Sequence, residues 1–214
     1  MLLHLLKKFW PQRKPAFELS PGQWVLLPLG NPGGEYTLTR HNLGRLMVQR
    51  WVNGRAAGAA PTHKYRYGTL YSLDDSFLAL VPSTYMNHSG VALREAMEDG
   101  LPLSRTMVIY DDKDLPLGTG RLSLDGGSGG HRGLQGIIDG TGSEGFARLR
   151  LGIGPFARPL KDWVLGEWQN EELDIIEKMD GPFANFLSLL TKGTPLPTLQ
   201  SQVNAKEFWR ISRG

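Results

Sequence analysis

The sequence has no cysteine. That excludes a disulfide framework, a thiolate nucleophile, an iron–sulfur cluster and a cysteine-ligated zinc, and it suits a reducing cytoplasm, the compartment expected for this chain. Long apolar runs are also missing: none approaches the roughly 20 residues of a membrane-spanning helix. The opening MLLHLLKKFWPQRKP puts a short apolar stretch before its charges, the reverse of a secretory signal. Among the histidines there is no His-Glu-x-x-His pair, and Asp111, Asp112 and Asp114 fail the calcium-loop spacing, so no metal site is expected. Serine hydrolysis is only weakly supported, because no Gly-x-Ser-x-Gly nucleophile elbow is expected.

What is present is a chain of 214 residues, 40% hydrophobic and 21% charged, which fits one domain with a substantial core. The formal charge of +3 is concentrated in residues 1–20, where Lys7, Lys8, Arg13 and Lys14 face only Glu18. The remainder is formally neutral, so any anion-binding surface there depends on local clustering. The expected organisation is a basic extension over 1–21, a single domain over 22–209 and a tail over 210–214. No function is assigned to the extension, which has the composition of a short amphipathic surface helix or of a plain leader.

Along the body, 23–29, 65–73, 77–81, 106–110 and 148–153 read as strands. Helices are expected over 42–51 and 91–98, with a short one at 134–138 and a longer one from Asn170, split at Gly181-Pro182. Residues 53–61 and 191–201 read as a loop and a linker, and 202–209 as a terminal turn. Thirteen of the 27 glycines fall between 118 and 154, marking tight turns and close backbone approach. The alternation of strands and helices predicts a single α/β domain with a mostly buried mixed sheet.

Open α/β sheets place ligands beyond the carboxyl ends of their strands. Polar clusters sit at such places here: Asn31 with Arg40-His41-Asn42, Tyr85-Met86-Asn87-His88, Asp111-Asp112-Lys113-Asp114, and Gly130-His131-Arg132. His41 is the best general base, because a neutral imidazole takes a proton from water near neutral pH. It is equally compatible with a helix-start residue making a local bond. Asp111 is the preferred orienting carboxylate, and Asp114 is read as a turn residue. Asn31 and Asn87 carry donors able to steady a developing oxyanion, although loop asparagines are by default turn residues. Met86 can form an apolar wall. Arg121, Arg132, Arg148 and Arg150 are candidates for phosphate contacts, with surface charge as the alternative. These residues point to water attacking an ester, without naming the ester.

Read in order, LGNPGGEYTLTRHNLG (29–44), VPSTYMNHSG (81–90), YDDKDLPLG (110–118), GGSGGHRGLQGI (126–137), RLRLGIG (148–154) and WVLG (163–166) closely resemble bacterial-type peptidyl-tRNA hydrolases. The resemblance spans about 22–209. It implies a single α/β domain with a twisted mixed sheet surrounded by helices. The implied reaction is hydrolysis of the ester between a peptide's C-terminus and the 3′-terminal ribose of tRNA. No metal or organic cofactor is implied, no stable protein partner is required, and a monomer is expected. On this resemblance His41 is the catalytic base and Asp111 orients it. Asn31, Tyr36, Met86, Asn87, His131 and Arg132 fall on substrate-binding positions. Arg150 falls on a position that grips the tRNA 5′-phosphate. Ser123 stands where that grip usually has a lysine, with Arg121 two residues away as a substitute. Three departures stand out: Ser128 and Arg132 replace a histidine and an asparagine of the usual His-Gly-Gly-His-Asn-Gly, and Pro28 replaces a glycine. Two other functions are carried forward, a noncatalytic RNA-binding relative and a hydrolase of small esters indifferent to a tRNA body.

Overall fold

The computed structural model describes residues 18–56, 58–156 and 159–210. The basic residues Lys7, Lys8, Arg13 and Lys14 and the last four residues lie outside that set.

The chain begins with β1 (Trp24–Pro28), buried at every position. Short 3-10 turns at Gly34–Tyr36 and Arg40–Asn42 lead into α1 (Leu43–Asn53). An antiparallel run follows: β2 (Ala60–Lys64), β3 (Gly68–Ser72) and β4 (Phe77–Pro82). A 3-10 turn at Met86–His88 opens α2 (Ser89–Glu98), and the chain returns through β5 (Thr106–Pro116) and β6 (Gly120–Ser123). After the glycine-rich stretch come α3 (Arg132–Thr141), β7 (Arg148–Gly154) and four more helices. These are α4 (Leu160–Leu165), α5 (Asn170–Lys178), α6 (Asp180–Thr191) and α7 (Leu196–Val203).

The seven strands form one mixed sheet in the order β2-β3-β4-β1-β5-β7-β6. The central strands are parallel, β1 pairing with both β4 and β5, and β5 with β7. The antiparallel strands β2, β3 and β6 lie toward the edges. Each face of the central strands is covered, which explains their nearly uninterrupted apolar sequences. One core layer joins Leu26, Met107, Ile109 and Leu149 to Met47, Phe183, Phe186 and Val203. The other joins Val25, Leu27, Leu80 and Val108 to Leu93, Leu134 and Ile137. The expected α/β domain with a mixed sheet is what the structure shows.

Several elements differ from the sequence reading. β2 occupies part of the expected loop, and β5 runs six residues past Tyr110, because Asp111 and Asp112 pair with Leu151 and Gly152 of β7. The expected strand from Tyr65 shrinks to Gly68–Ser72, since the Tyr65 N–H closes a turn onto the Gly68 carbonyl. The long C-terminal helix breaks near the expected place, between Lys178 and Asp180. The presumed linker contains α7, whose Pro197 sits in the first turn, where a missing N–H costs nothing.

β1 leaves toward β4 on one side, and the chain later returns to β5 on the other. That reversal opens a crevice at the carboxyl ends of β1 and β5, the usual ligand position in such sheets. Gly44, in the first turn of α1, sharpens this corner: a Cβ there would overlap the Ile109 carbonyl, so only glycine lets α1 start against β5.

Candidate active site

A cavity of about 700 Å³ occupies that crevice. Asn31, Tyr36, His41, Met86, Asn87, Asp111, His131, Arg132 and Arg150 all line it. The structure thus brings together nearly every residue singled out from sequence. Arg121 is the exception: it is exposed and stands outside the lining, whereas Ser123 is within it. Arg121 is nevertheless directly opposite Arg150 in the β6–β7 pairing, on the same face of the sheet.

Asp111 is the centre of the polar constellation. Only 2% exposed, it accepts from His41 Nδ1 at 2.9 Å (Oδ1) and 3.0 Å (Oδ2), and from His131 Nε2 at 3.0 Å. Burial alone raises a carboxyl's pKa; the two imidazoles outweigh it and hold Asp111 well below the usual carboxylate range. The opposing influences on His41 are burial, the largest single one, which lowers its pKa, and the charge and hydrogen bond of Asp111, which raise it. Asp111 prevails and the His41 pKa rises above 6.5, while the Arg132 charge pulls the other way. Because Nδ1 donates to Asp111, the neutral His41 ring leaves Nε2 as a bare acceptor.

His131 serves two elements. Its Nδ1 accepts the Leu134 N–H at 3.0 Å as the N-cap of α3. An accepting Nδ1 requires the proton on Nε2, which is the nitrogen that faces Asp111. Its ring also packs edge-on against Tyr110 at 4.8 Å, and lies 4.8 Å from the His41 ring.

Asn31 is held more firmly than a turn residue. Asn42 brackets its backbone, accepting from the Asn31 N–H (2.8 Å) and donating to the Asn31 carbonyl (2.9 Å). The Asn31 side-chain oxygen accepts the Met86 N–H at 2.8 Å, so its Nδ2 group remains as the donor. Asn31 therefore ties the β1 loop to the turn that presents Met86 and Asn87. Met86 is buried and packs on Gly133, while Asn87 is exposed to the cavity. Tyr36 and Tyr85 meet edge-to-face at 6.3 Å at the rim.

Three side chains support the site in roles that the sequence did not assign to them: Arg40, Arg45 and Asp112. Arg40, 5% exposed, lies 4.0 Å above the Trp163 ring, pairs with Glu172 at 2.5 Å and donates to the Glu167 carbonyl at 2.9 Å. It binds the turn carrying His41 to the segment that includes α4. Arg45 donates to the Asn31 and Pro82 carbonyls, and burial brings its pKa down to about 10. Asp112 accepts from Arg150 Nε at 2.6 Å and from the Asp114 N–H at 2.8 Å. Asp114 itself is exposed, so Asp111 alone partners His41. Arg40 and Asp112 directly adjoin His41 and Asp111 in the sequence, whereas Arg45 has no such neighbour.

Two sequence readings need correction. Arg148 is no phosphate ligand: at 1% exposure its guanidinium is committed to the carbonyls of Gly126, Gly127 and Glu144, fastening the glycine-rich loop. Gly126-Gly127-Ser128-Gly129-Gly130 does have the Gly-x-Ser-x-Gly spacing. Its context is wrong for a nucleophile elbow: Ser128 follows a loop instead of a strand, and no hydrogen bond links its hydroxyl to His41 or His131 among the described residues.

One set of potential metal ligands exists among the described residues, and it is this same trio of His41, Asp111 and His131, with ligand atoms within 4.8 Å of one another. Their separations of 2.9 and 3.0 Å are hydrogen-bond lengths and need protons on His41 Nδ1 and His131 Nε2. A metal needs those nitrogens bare at about 2.0–2.2 Å. As arranged, the trio is built to hold protons.

Similarities to known proteins agree with the geometry. The family described as Peptidyl-tRNA hydrolase matches residues 25–210. A peptidyl-tRNA hydrolase of Pseudothermotoga lettingae is 43% identical over 158 residues, covering 72% of this chain and 83% of that protein. One from Geobacter sulfurreducens is 38% identical over 190 residues, covering 86% and 96%. The crystal structure of peptidyl-tRNA hydrolase from Acinetobacter baumannii superposes with a TM-score of 0.75 at 27% identity, covering 88% of this chain and 98% of that one. The chain belongs to the peptidyl-tRNA hydrolase family.

Proposed function

We propose that residues 22–209 form a monomeric, cytoplasmic catalytic unit that hydrolyses the ester between a peptide's C-terminal carbonyl and the 3′-terminal ribose of peptidyl-tRNA, with His41 as general base. The observation that carries this reading is the His41–Asp111 pair: Nδ1 tied to a buried carboxylate, Nε2 without a partner among the described residues, and the ring lining the cavity.

Water bound at Nε2 gives up a proton as its oxygen attacks the ester carbonyl. Asp111 keeps the productive tautomer and stabilises the imidazolium. Negative charge grows on the carbonyl oxygen, where the Asn87 amide and the Nδ2 group of Asn31 supply donors. Collapse of the tetrahedral intermediate breaks the bond to the ribose oxygen, which takes the proton back from His41. One water is consumed, and a peptide carboxylic acid and a free ribose hydroxyl are formed. Arg150, and Arg121 opposite it, take the tRNA 5′-phosphate. No step here needs a metal or cofactor. Among the described residues no helix is long and apolar enough to cross a membrane.

The test is release of labelled N-acetylaminoacyl groups from tRNA by the purified protein and by His41→Ala. The parent protein releases label and His41→Ala is slower by roughly 10²–10⁴-fold. No release by the parent overturns the hydrolase reading in favour of a noncatalytic RNA-binding relative. Equal release by the variant overturns the mechanism.

A further inference from the structure

The charges lining the cavity are mostly spoken for. Lys113 pairs with Asp114 at 2.7 Å, and Arg150 gives its Nε to Asp112 at 2.6 Å, its terminal nitrogens being assigned to the 5′-phosphate. Arg148 is consumed by backbone carbonyls, and Asp111 lies between two histidines. Two cations of the lining, Arg132 and Lys161, have no ion pair or side-chain hydrogen bond among the described residues. Of these, Arg132 belongs to the reaction centre. It directly follows His131, and its charge is felt at the His41 ring.

Nothing in the fold calls for an arginine there. Arg132 is the first residue of α3, where a positive charge opposes the helix dipole. Its side chain is exposed. An uncommitted guanidinium lining the same cavity as a general base also makes that base weaker, a loss without purpose unless an anion arrives with the substrate. A guanidinium offers two parallel N–H donors, the geometry that fits a phosphodiester's two free oxygens.

We propose that Arg132 is a specificity-determining residue that binds the phosphodiester joining the 3′-terminal adenosine of the tRNA to the nucleotide before it. That group lies one ribose away from the scissile ester, so a cation sharing a cavity wall with His41 is placed to meet it. The 5′-phosphate is a separate contact, assigned to Arg150. The inference rests on the hydrolase reading and extends it: the enzyme checks the single-stranded end of its substrate independently of the acceptor stem. Binding also neutralises Arg132, which restores basicity to His41 when substrate is present.

The experiment is a cycle with one change in the enzyme and one in the substrate. Peptidyl-tRNA carrying a neutral methylphosphonate at the last internucleotide linkage is compared with the natural substrate, for the parent, Arg132→Gln and Arg132→Lys. The parent loses about tenfold or more in kcat/KM on the methylphosphonate, as expected for a lost charge-assisted pair. Arg132→Gln is slower on the natural substrate and indifferent to the neutral linkage, while Arg132→Lys keeps part of the discrimination. The ratio of rates with and without a 5′-phosphate stays at the parent value in Arg132→Gln. Equal sensitivity to the methylphosphonate in the parent and Arg132→Gln, or none in the parent, overturns the assignment. Failure of the parent to cleave natural peptidyl-tRNA overturns the hydrolase reading itself, a different and recognisable result.

Discussion

His131 donates its Nε2 proton to Asp111 at 3.0 Å while its Nδ1 caps α3 through the Leu134 N–H. The cap therefore selects the tautomer that Asp111 requires, and the start of α3 is joined to the carboxylate that orients His41. His131→Ala removes both bonds. The expected outcome is a loss of stability of about 0.5–2 kcal/mol from the cap and a fall in kcat of about tenfold to a hundredfold from the misdirected carboxylate. His131→Asn can restore the cap but reaches Asp111 poorly, so it recovers melting temperature more than kcat. Thermal unfolding and single-turnover rates on both variants check this, and parallel recovery of the two quantities defeats it.

The pH dependence follows from the same group. The base must be neutral, so kcat/KM rises with pH through the His41 pKa, which lies above 6.5 because of Asp111. In Asp111→Asn the raising influences vanish and burial remains, so the limb moves below 6.5 while the maximal rate drops by roughly 10²–10⁴-fold. Stability carries the opposite sign for the two partners. The His41 contribution is complete below its unfolded pKa near 6.5 and is lost as pH rises through the folded value. The Asp111 contribution is present above about 3.9 and is lost only as pH falls toward its depressed native pKa. A kcat/KM profile with an unmoved acid limb in Asp111→Asn contradicts the assignment.

The contrast between Arg148 and Arg150 shows where sequence reasoning stopped. Strand alternation in RLRLGIG puts both on one face of β7, and that much was legible. What separates them is the glycine loop folding back over Arg148, a long-range event with no local signature. Asp111 was legible because it directly follows the apolar run TMVIY, and His41, thirteen residues beyond β1, because an imidazole is the side chain best suited to take a proton near neutral pH. Arg40 was not, since its role depends on Trp163 and Glu172, more than a hundred residues away. β2 escaped because an exposed edge strand containing Pro61 has neither burial nor alternation to reveal it.

Asp112 positions Arg150. The short contact from Nε leaves the two terminal guanidinium nitrogens for a phosphate. Asp112→Asn weakens that grip, and the preference for substrates with a 5′-phosphate shrinks by about tenfold, as it does in Arg150→Ala. The double variant is no worse than Arg150→Ala alone, because both changes act on one contact. Initial rates with 5′-phosphorylated and dephosphorylated peptidyl-tRNA measure this directly. Additive losses in the double variant indicate that Asp112 acts elsewhere.

Arg40 connects stability to catalysis. Its guanidinium is buried between the Trp163 and Trp168 rings and neutralised by Glu172, and its backbone N–H donates to the Gly166 carbonyl at 3.1 Å. Arg40→Ala leaves a cavity and an unpaired carboxylate, at a cost of about 3–5 kcal/mol. For a protein of this size that lowers the melting temperature by roughly 10 °C. Residue 40 precedes His41 in the same 3-10 turn, so the loosened segment also displaces the base, and kcat falls even at temperatures where the variant is fully folded. Glu172→Gln keeps the stacking and a neutral hydrogen bond, and loses less of both. Calorimetry paired with kcat at low temperature separates the two effects. A destabilised Arg40→Ala with unchanged kcat in its folded state means that the turn holds His41 without help from α4 and α5.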